Sequence, residues 1–289
     1  MSDQKVFDID EKPTWCPACG DFGILSSLRQ AFAGLDLYPH QVLLVSGIGC
    51  GSKLPYYMKA NGYDSLHGRA LPVATGAKLA NHELKVVVIS GDGDGYGIGG
   101  NHFMHTMRRN PDITHIVENN QVYGLTKGQY SPTSEKGYIS STSPDGALEV
   151  EINPTALALA GGASFVGRGY AGDPKHLTQL IMKALDHKGY ALVDILQPCV
   201  TYNKINTYAW YKERVYKLDD ESNYDASNYD AAWERAREWD ERIPIGVIYQ
   251  EEGRLTYEEQ VPLLQEMPLM RQPVQRDREL LESIKKEFM

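Results

Sequence analysis

Clustered basic residues and long apolar runs are both scarce in this chain, and each shortage argues against a class of protein. The 289 residues include 29 Lys and Arg against 38 Asp and Glu, which gives a formal net charge of −9. That balance argues against a nucleic-acid partner, because phosphate backbones are bound by clustered basic side chains. No apolar run reaches the ~18 residues that a membrane-spanning helix needs. We therefore expect neither a nucleic-acid partner nor a membrane segment.

Cysteine is also rare, with four residues in the whole chain. Four are too few for a disulfide scaffold, and a reducing cytosol favours free thiols or metal ligands. The amino-terminal segment is polar and acidic, unlike a secretory signal or a transit peptide. The sequence thus predicts a soluble, cytoplasmic protein.

Short apolar runs alternate with amphipathic segments through residues 1–204. Runs such as 42–45 and 86–89 predict strands that are buried on both faces, whereas 23–33 and 71–81 have the apolar spacing of helices. The same reasoning places further strands near 113–117, 165–167 and 191–196, and helices at 154–160 and from Pro174 to the stop at Gly189. This order predicts an α/β fold with a doubly wound, mostly parallel sheet.

The composition changes after about residue 204. Residues 205–289 are rich in Glu, Asp, Arg and Tyr and contain no run that is typical of a strand. The stretches 229–241 and 276–288 have the pattern of exposed helices. We expect one α/β domain at 1–204, which carries the functional sites, and a helical or irregular extension at 205–289.

Polar residues follow two neighbouring predicted strands. Asp92 lies in Gly91-Asp92-Gly93-Asp94, and Asn120, in the pair Asn119-Asn120, comes 28 residues after Asp92. One βαβ crossover takes roughly 30 residues, so Asp92 and Asn120 are expected at the same carboxyl edge of the sheet, where such sheets bind ligands. Carboxylate and amide oxygens beside a glycine-rich turn suit Mg²⁺ holding a diphosphate.

Other interpretations of this segment are weaker. The aspartates of a glycine-rich loop often only cap helices and turns, but the asparagine pair at the crossover distance favours a ligand site. No GxxxxGK[ST] motif occurs, and Gly95 to Gly100 is not a proper GxGxxG with an acidic residue about 20 positions further on. A P-loop is therefore excluded, and a nicotinamide site is disfavoured.

The four cysteines can also meet at this edge. Cys16 and Cys19 form a CxxC pair, while Cys50 and Cys199 each follow a predicted strand. A CxxC loop that folds over the edge would bring four thiolates together. Four thiolates suit either tetrahedral Zn²⁺ or an iron–sulfur cluster, and the spacing does not separate the two. Taken singly, Cys50 and Cys199 would more often be small buried apolar residues, but their place at an edge with other candidate ligands favours metal binding.

Together these motifs resemble a known family. The GDG and NN pair resembles the thiamine diphosphate motif of 2-oxoacid-decarboxylating enzymes. Over roughly residues 14–204, the chain resembles the β subunit of 2-oxoacid:ferredoxin oxidoreductases. The matching segments are Trp15-Cys-Pro-Ala-Cys-Gly20, Gly47-Ile-Gly-Cys50, His67-Gly-Arg-Ala-Leu-Pro72, Gly91 to Asp94 with Ile98 to His102, Tyr123 to Gln129, and Gln197 to Val200.

The resemblance assigns cofactors to residues. Mg²⁺ would be held by the side chains of Asp92 and Asn120 and by the carbonyl of Val122. The four cysteines Cys16, Cys19, Cys50 and Cys199 would hold a 4Fe–4S cluster. The residues expected to contact thiamine diphosphate are Gly47, Ile48, Gly49, Cys50, His67, Gly68, Arg69, Gly91, Asp92, Gly93, Asp94, Asn120, Val122, Tyr123, Gly124, Leu125 and Thr126.

One position departs from the family pattern. Glu118 stands where family members usually have an apolar strand residue. A buried carboxylate is costly unless it is paired. We therefore expect Glu118 to face solvent or a partner protein.

The resemblance also implies a reaction, in which a 2-oxoacid, CoA and oxidised ferredoxin give acyl-CoA, CO₂ and reduced ferredoxin. A partner α subunit, in an αβ or (αβ)₂ complex, would supply the glutamate that activates the cofactor and the CoA site. Lys53, Lys127 and Leu125 are the expected catalytic residues, with the two lysines near the substrate carboxylate.

The segments GLTKGQ, HGRALPVATG and SPTS favour 2-oxoglutarate as the substrate. Pyruvate or a broad range of 2-oxoacids stays open. A non-oxidative thiamine diphosphate decarboxylase and a zinc-stabilised scaffold subunit are the remaining alternatives.

Overall fold

Runs of Val, Ile and Leu form the strands of one central sheet, because such side chains pack well on a pleated surface that is covered on both faces. A computed structural model describes residues 4–273 and 277–289. The strands are β1 (Val42–Ser46), β2 (Asn61–Asp64), β3 (Lys85–Gly91), β4 (Ile113–Asn119), β5 (Val122–Tyr123), β6 (Gln129–Tyr130), β7 (Phe165–Tyr170), β8 (Tyr190–Leu196), β9 (Val215–Lys217) and β10 (Ile243–Gln250).

Eight of these strands form the central sheet in the order β2-β1-β3-β4-β8-β7-β10-β9. Each pair of neighbouring strands in this sheet is parallel, except that β7 and β10 are antiparallel to each other. β5 and β6 form a separate antiparallel hairpin. The predicted α/β fold with a doubly wound, mostly parallel sheet is confirmed.

Helices cover both faces of the sheet. They are α1 (Asp21–Gly34), α2 (Ala70–Ala80), α3 (Gly100–Arg109), α4 (Pro154–Ala160), α5 (Pro174–Asp186), α6 (Tyr208–Lys212), α7 (Tyr229–Arg237) and α8 (Arg278–Glu287), with a π-helical turn at Gly93–Ile98. Alternate residues of β3 serve opposite cores because side chains alternate across a strand. Val87 and Ile89 pack with α1 and α5, while Val86 and Val88 pack with α2, α3, α4 and α7.

Local signals in the sequence set the ends of several elements. Asp173 caps α5, since its carboxylate accepts a hydrogen bond of 3.1 Å from the backbone N–H of His176, and Pro174 takes the first helical position. Asn110 ends α3 in the left-handed conformation, with a φ of 56°. These turns return the chain to the next strand and bring the carboxyl ends of β1, β3, β4 and β8 to one edge.

The expectation of no strand after residue 205 is wrong. β10 pairs with β7 and β9, which adds two strands to the sheet. Pro244 and Gly246 lie within β10, and both residue types weaken the signal of a strand. The predicted helices near 229–241 and 276–288 are present as α7 and α8, and Arg276 itself lies outside the described residues. The division at residue 204 stays a prediction.

Over the part of the chain that the structure describes, no helix combines the length and the apolar character needed to cross a bilayer.

Candidate active site

The loops after β1, β3 and β4 surround one cavity of about 80 Å³. Its lining consists of Ile48, Gly49, Cys50, Gly51, His67, Gly91, Asp92, Gly93, Asp94, Glu118, Asn120, Val122, Tyr123, Gly124, Leu125 and Thr126. The structure therefore brings together the three residues expected to hold Mg²⁺ and most of the expected cofactor contacts. Gly47, Gly68 and Arg69 do not line the cavity, and Glu118 lines it without having been predicted.

Asp92 is buried, and two hydroxyl groups fix its carboxylate. Its Oδ2 atom accepts a hydrogen bond of 2.6 Å from Thr133 Oγ1 and another from Ser131 Oγ. Thr133 Oγ1 also lies 2.9 Å from Asn119 Oδ1. Neither Ser131 nor Thr133 was predicted as a site residue, although the Ser131-Pro-Thr-Ser134 segment was the available signal. Side chains that orient a metal ligand in this way commonly support metal sites.

Asp94 holds two loops together beside the cavity. Its Oδ1 atom accepts hydrogen bonds from the backbone N–H of Ile48 at 3.0 Å and of Gly68 at 2.7 Å, and it lies 2.7 Å from His67 Nδ1. A Cβ at Gly47 would lie 1.8 Å from Asp94 Oδ2, so only glycine fits there. Asp94 Oδ2 is buried without a hydrogen-bond partner among the described residues.

The two asparagines after β4 have different roles. Asn119 is buried and donates a hydrogen bond of 3.1 Å to Asp194 Oδ1. Asn120 lines the cavity, and its Oδ1 atom accepts a hydrogen bond of 3.1 Å from the N–H of Val122. Gln121, which lies between Asn120 and Val122, takes a φ of 60°, and this turns the chain back. The turn places Asn120 and Val122 along the same cavity as Asp92.

The expectation for Glu118 is wrong. Its side chain lies on β4 with only 1% of its surface exposed, and its carboxyl oxygens receive no hydrogen bond from a nitrogen or hydroxyl donor among the described residues. Asp21, at the start of α1, is equally buried. Burial and the neighbouring Asp21 carboxyl raise the pKa of Glu118 well above its usual value. This shift favours the neutral form of the carboxyl, which costs less to bury than a carboxylate.

All four cysteines line a second cavity of about 210 Å³. The CxxC loop reaches it because the indole Nε1 of Trp15 donates a hydrogen bond of 2.7 Å to the carbonyl of Cys50. The four thiols are free. Cys50, Asn120, Gly124 and Leu125 line this cavity and the first one as well. Cys50 therefore stands between the two cavities.

The thiols of Cys19 and Cys50 are not activated nucleophiles. Burial raises the pKa of the Cys50 thiol to about 11, with smaller contributions from charges nearby, and burial also raises the pKa of Cys19. Reactive cysteines have a lowered pKa. In residues 4–273 and 277–289, no group of three His, Cys, Asp or Glu side chains is arranged to hold a single metal ion. The cysteines surround a cavity and do not converge on one point.

The predicted catalytic residues lie in different places. Lys53 and Leu125 line the cysteine cavity, and Leu125 also lines the first cavity. Lys127 is exposed, has a φ of 80° and lines neither cavity. The structure thus places Lys53 at the cysteine cavity and Lys127 at neither cavity.

Comparison with known proteins identifies the class of this fold and site. Residues 47–195 match the family of the thiamine pyrophosphate enzyme, C-terminal TPP binding domain. Residues 199–266 match the family that describes the C-terminal part of the pyruvate ferredoxin oxidoreductase beta chain. The chain is therefore a thiamine-diphosphate-binding oxidoreductase subunit.

Individual relatives define the family more closely. The 2-oxoacid:ferredoxin oxidoreductase subunit beta of Saccharolobus solfataricus is 50% identical over 258 residues, which cover 86% of this chain and 85% of that protein. The 2-oxoglutarate oxidoreductase subunit KorB of Mycobacterium tuberculosis is 46% identical over 209 residues, which cover 72% of this chain and 56% of that protein. This chain belongs to the β subunits of the 2-oxoacid:ferredoxin oxidoreductases.

A solved structure agrees with this family. The 2-oxoglutarate:ferredoxin oxidoreductase from Magnetococcus marinus, with 2-oxoglutarate, coenzyme A and succinyl-CoA bound, superimposes with a TM-score of 0.91 at 38% identity. The match covers 98% of this chain and 96% of that one. The likeness therefore includes the segment after residue 204.

Proposed function

We propose that this chain is the cofactor-bearing β subunit of a complex that oxidatively decarboxylates 2-oxoglutarate with CoA and reduces ferredoxin. The observation that carries the proposal is the shared wall of the two cavities, in which Cys50 borders the polar site of Asp92 and the cavity of the four cysteines. When bound, thiamine diphosphate supplies the carbon chemistry and an iron–sulfur cluster takes up the electrons. A common wall suits electron transfer between two such groups.

The residues around the first cavity fit a metal-held diphosphate. Asp92, Asn120 and the Val122 carbonyl supply the oxygen ligands that Mg²⁺ prefers. A Cβ at Gly93 would lie 2.2 Å from Tyr123 Cε1, so the backbone of the glycine turn is closely packed. The other glycines that line the cavity have no side chain, so their backbone directly borders the space where a diphosphate would lie.

The second cavity fits an iron–sulfur cluster better than one zinc ion. Four cysteine sulfurs are the donor set of a 4Fe–4S cluster. A zinc ion held by the same sulfurs would have only a structural role, whereas a redox cluster beside thiamine diphosphate would take part in the reaction. We therefore assign the cluster to Cys16, Cys19, Cys50 and Cys199.

A second subunit is needed to complete the first cavity. Its volume of about 80 Å³ is well below the ~300 Å³ of a typical small-molecule site. Exposed apolar side chains stand near its rim, including Ile48 at 43% and Leu125 at 47% exposure. Both observations support an α subunit that covers the cofactor and contributes the activating glutamate and the CoA site.

The substrate is inferred from relatives and from one lysine. Proteins from Mycobacterium tuberculosis and Methanothermobacter marburgensis, which are named 2-oxoglutarate oxidoreductase and 2-oxoglutarate synthase subunits, are 46% and 43% identical to this chain. Lys53 lines the cysteine cavity, which adjoins the first cavity, and its ammonium group would attract a substrate carboxylate. We retain Leu125 beside it as a substrate contact and give Lys127 a lower rank because it is exposed.

Anaerobic purification of the chain with its α subunit tests the proposal. We expect a brown complex with about four irons per β chain. With CoA and ferredoxin present, turnover should be faster with 2-oxoglutarate than with pyruvate.

The alternatives give different results. A colourless zinc protein would contradict the cluster and favour the scaffold interpretation. CO₂ release without reduction of ferredoxin would favour a non-oxidative decarboxylase. Equal turnover of pyruvate would contradict the assignment of 2-oxoglutarate and favour a broad substrate range.

A further inference from the structure

Two polar side chains donate hydrogen bonds to cysteine sulfurs of the CxxC loop. Gln197 Nε2 lies 3.1 Å from Cys19 Sγ, and Thr201 Oγ1 lies 3.1 Å from Cys16 Sγ. Both donors belong to the segment after β8, on either side of Cys199. Each CxxC sulfur therefore has its own donor from a distant part of the chain.

The position of Gln197 is built into the fold. Its backbone N–H donates a hydrogen bond of 2.9 Å to the carbonyl of Asn119, which fixes the residue at the end of the sheet. A Cβ at Gly20 would lie 2.8 Å from Gln197 Cγ, so the glycine of the CxxCG motif makes room for this side chain. Gln197 itself is 1% exposed. Its amide cannot move aside without disturbing the CxxC loop.

The amide is oriented with its N–H group toward the sulfur. Nε2 lies within 3.4 Å of the carbonyl of Pro198 as well as near Cys19 Sγ. When Cys19 holds a cluster its sulfur is a thiolate, and with the amide turned over Oε1 would then face that thiolate and the Pro198 carbonyl oxygen, neither of which donates a hydrogen bond. The orientation follows from these neighbours.

We propose that Gln197 and Thr201 set the reduction potential of the cluster by hydrogen bonding to the sulfurs of Cys19 and Cys16, an inference that rests on the proposed function. Neither residue is a ligand. A reduced cluster carries one more negative charge than an oxidised one, and N–H and O–H donors stabilise that charge. The two donors therefore raise the potential, and their removal lowers it.

The two donors contribute unequally. Gln197 is buried, whereas Thr201 is exposed to solvent. A hydrogen bond is electrostatically stronger in a buried environment of low polarity. Gln197 thus has the larger effect on the potential.

The experiment is a redox titration of the anaerobic αβ complex, followed by electron paramagnetic resonance of the cluster. Gln197→Leu and Thr201→Val remove the donors while keeping similar volumes, and Thr201→Ser keeps the hydroxyl. We expect Gln197→Leu to shift the one-electron equilibrium about tenfold toward the oxidised cluster, a midpoint lower by about 59 mV. Thr201→Val should shift it less, and Thr201→Ser should match the wild type. Iron content should stay unchanged.

A matched control is Thr178→Val, whose hydroxyl donates to the carbonyl of Pro174 on α5 and does not line the cysteine cavity. Its midpoint should equal that of the wild type. Full iron content with an unchanged or higher midpoint in both donor variants overturns the inference and leaves the proposed function intact. Loss of iron in Thr201→Val also overturns it, because the hydroxyl would then hold the loop and not tune the cluster. A wild-type complex without iron refutes the proposed function itself.

Discussion

At the scale of single residues, the described site depends on side chains that orient other side chains. Asp92 is placed by Thr133 and Ser131, and Asp94 holds two loops through one carboxylate oxygen. Partners of metal ligands typically change metal affinity by about 10–100-fold when they are removed. The SPTS segment therefore belongs to the proposed metal site although none of its residues is a proposed ligand.

Replacing Asp92 by Asn should abolish Mg²⁺-dependent binding of thiamine diphosphate in the assembled complex. The amide cannot supply the negative charge of the carboxylate, and its NH₂ group competes with the hydroxyl donors. Thr133→Val should have a smaller effect, a loss of about 10–100-fold in the affinity for Mg²⁺. Calorimetric titration of the apo complex with Mg²⁺ and cofactor measures both effects.

Asp230→Ala, at an exposed position of α7, is the matched control and should bind as the wild type does. Thr133→Ser should restore most of the affinity that Thr133→Val loses, because it keeps the hydroxyl. Unchanged cofactor binding in Asp92→Asn would show that the Mg²⁺ assignment is wrong.

At the scale of elements, a buried ion pair joins α2 to the start of β4. Lys78 Nζ lies 2.7 Å from Asp112 Oδ2, and both side chains are almost fully buried. The backbone N–H of Asp112 also donates a hydrogen bond of 3.1 Å to Glu258, which attaches the carboxyl-terminal segment. This cluster ties a helix, a strand and the segment after β10 into one unit.

Lys78→Met should lower the free energy of unfolding by about 3–5 kcal/mol, because it leaves the Asp112 carboxylate buried without its partner. Lys175→Met, at an exposed position of α5, should change it by no more than about 0.5 kcal/mol. Urea denaturation of the two variants measures the difference. If Lys78→Met lowered the free energy of unfolding no more than Lys175→Met does, the Lys78–Asp112 pair would not stabilise the fold as we expect.

The same pair predicts a dependence on pH. Burial acts to raise the pKa of Asp112, but the Lys78 and Lys85 ammonium groups outweigh it and hold the pKa below its usual value. A carboxyl group with a lowered pKa in the folded state stabilises the fold above its unfolded pKa, and this contribution is lost as the pH falls through the folded pKa. The stability difference between the wild type and Lys78→Met should therefore narrow once the pH falls below the usual pKa of an aspartic acid, as urea denaturation at pH 7 and at about pH 3 can show.

At the scale of the whole molecule, the described chain has one sheet edge with two adjoining cavities and apolar side chains around the first. Ile98 and Leu66 are 54% and 77% exposed and flank loops that carry proposed cofactor contacts. Exposed apolar groups near a polar site commonly mark the surface that a partner covers. The architecture supports the proposal that an α subunit supplies the rest of the active site.

The isolated chain should therefore release no CO₂ from 2-oxoglutarate, even with thiamine diphosphate, Mg²⁺ and a redox dye supplied. Addition of the α subunit should restore turnover. Radiometric CO₂ release by the chain alone and by the complex compares the two directly. Turnover by the isolated chain at a rate near that of the complex would contradict the shared active site.

Much of the fold followed from local patterns. The apolar run at 86–89 is a strand buried on both faces, and Asp173-Pro174 begins a helix, because burial and capping depend on neighbours in the sequence. β10 was not predicted, because Pro244 and Gly246 within it are residue types that are rare in strands. Their local preference opposes a strand, and pairing with β7 and β9 overrides it.

In the candidate site, too, some features were predictable from the sequence and others were not. The sequence alone indicated that Asp92, Asn120, Cys50 and Cys199 follow strands, because one crossover has a nearly constant length and parallel strands end at one edge. Only the tertiary structure decided that Glu118 is buried against Asp21, that Thr133 orients Asp92, and that Gln197 donates to Cys19. Those contacts join residues whose separation along the chain has no regular period, and three-dimensional packing alone brings them together.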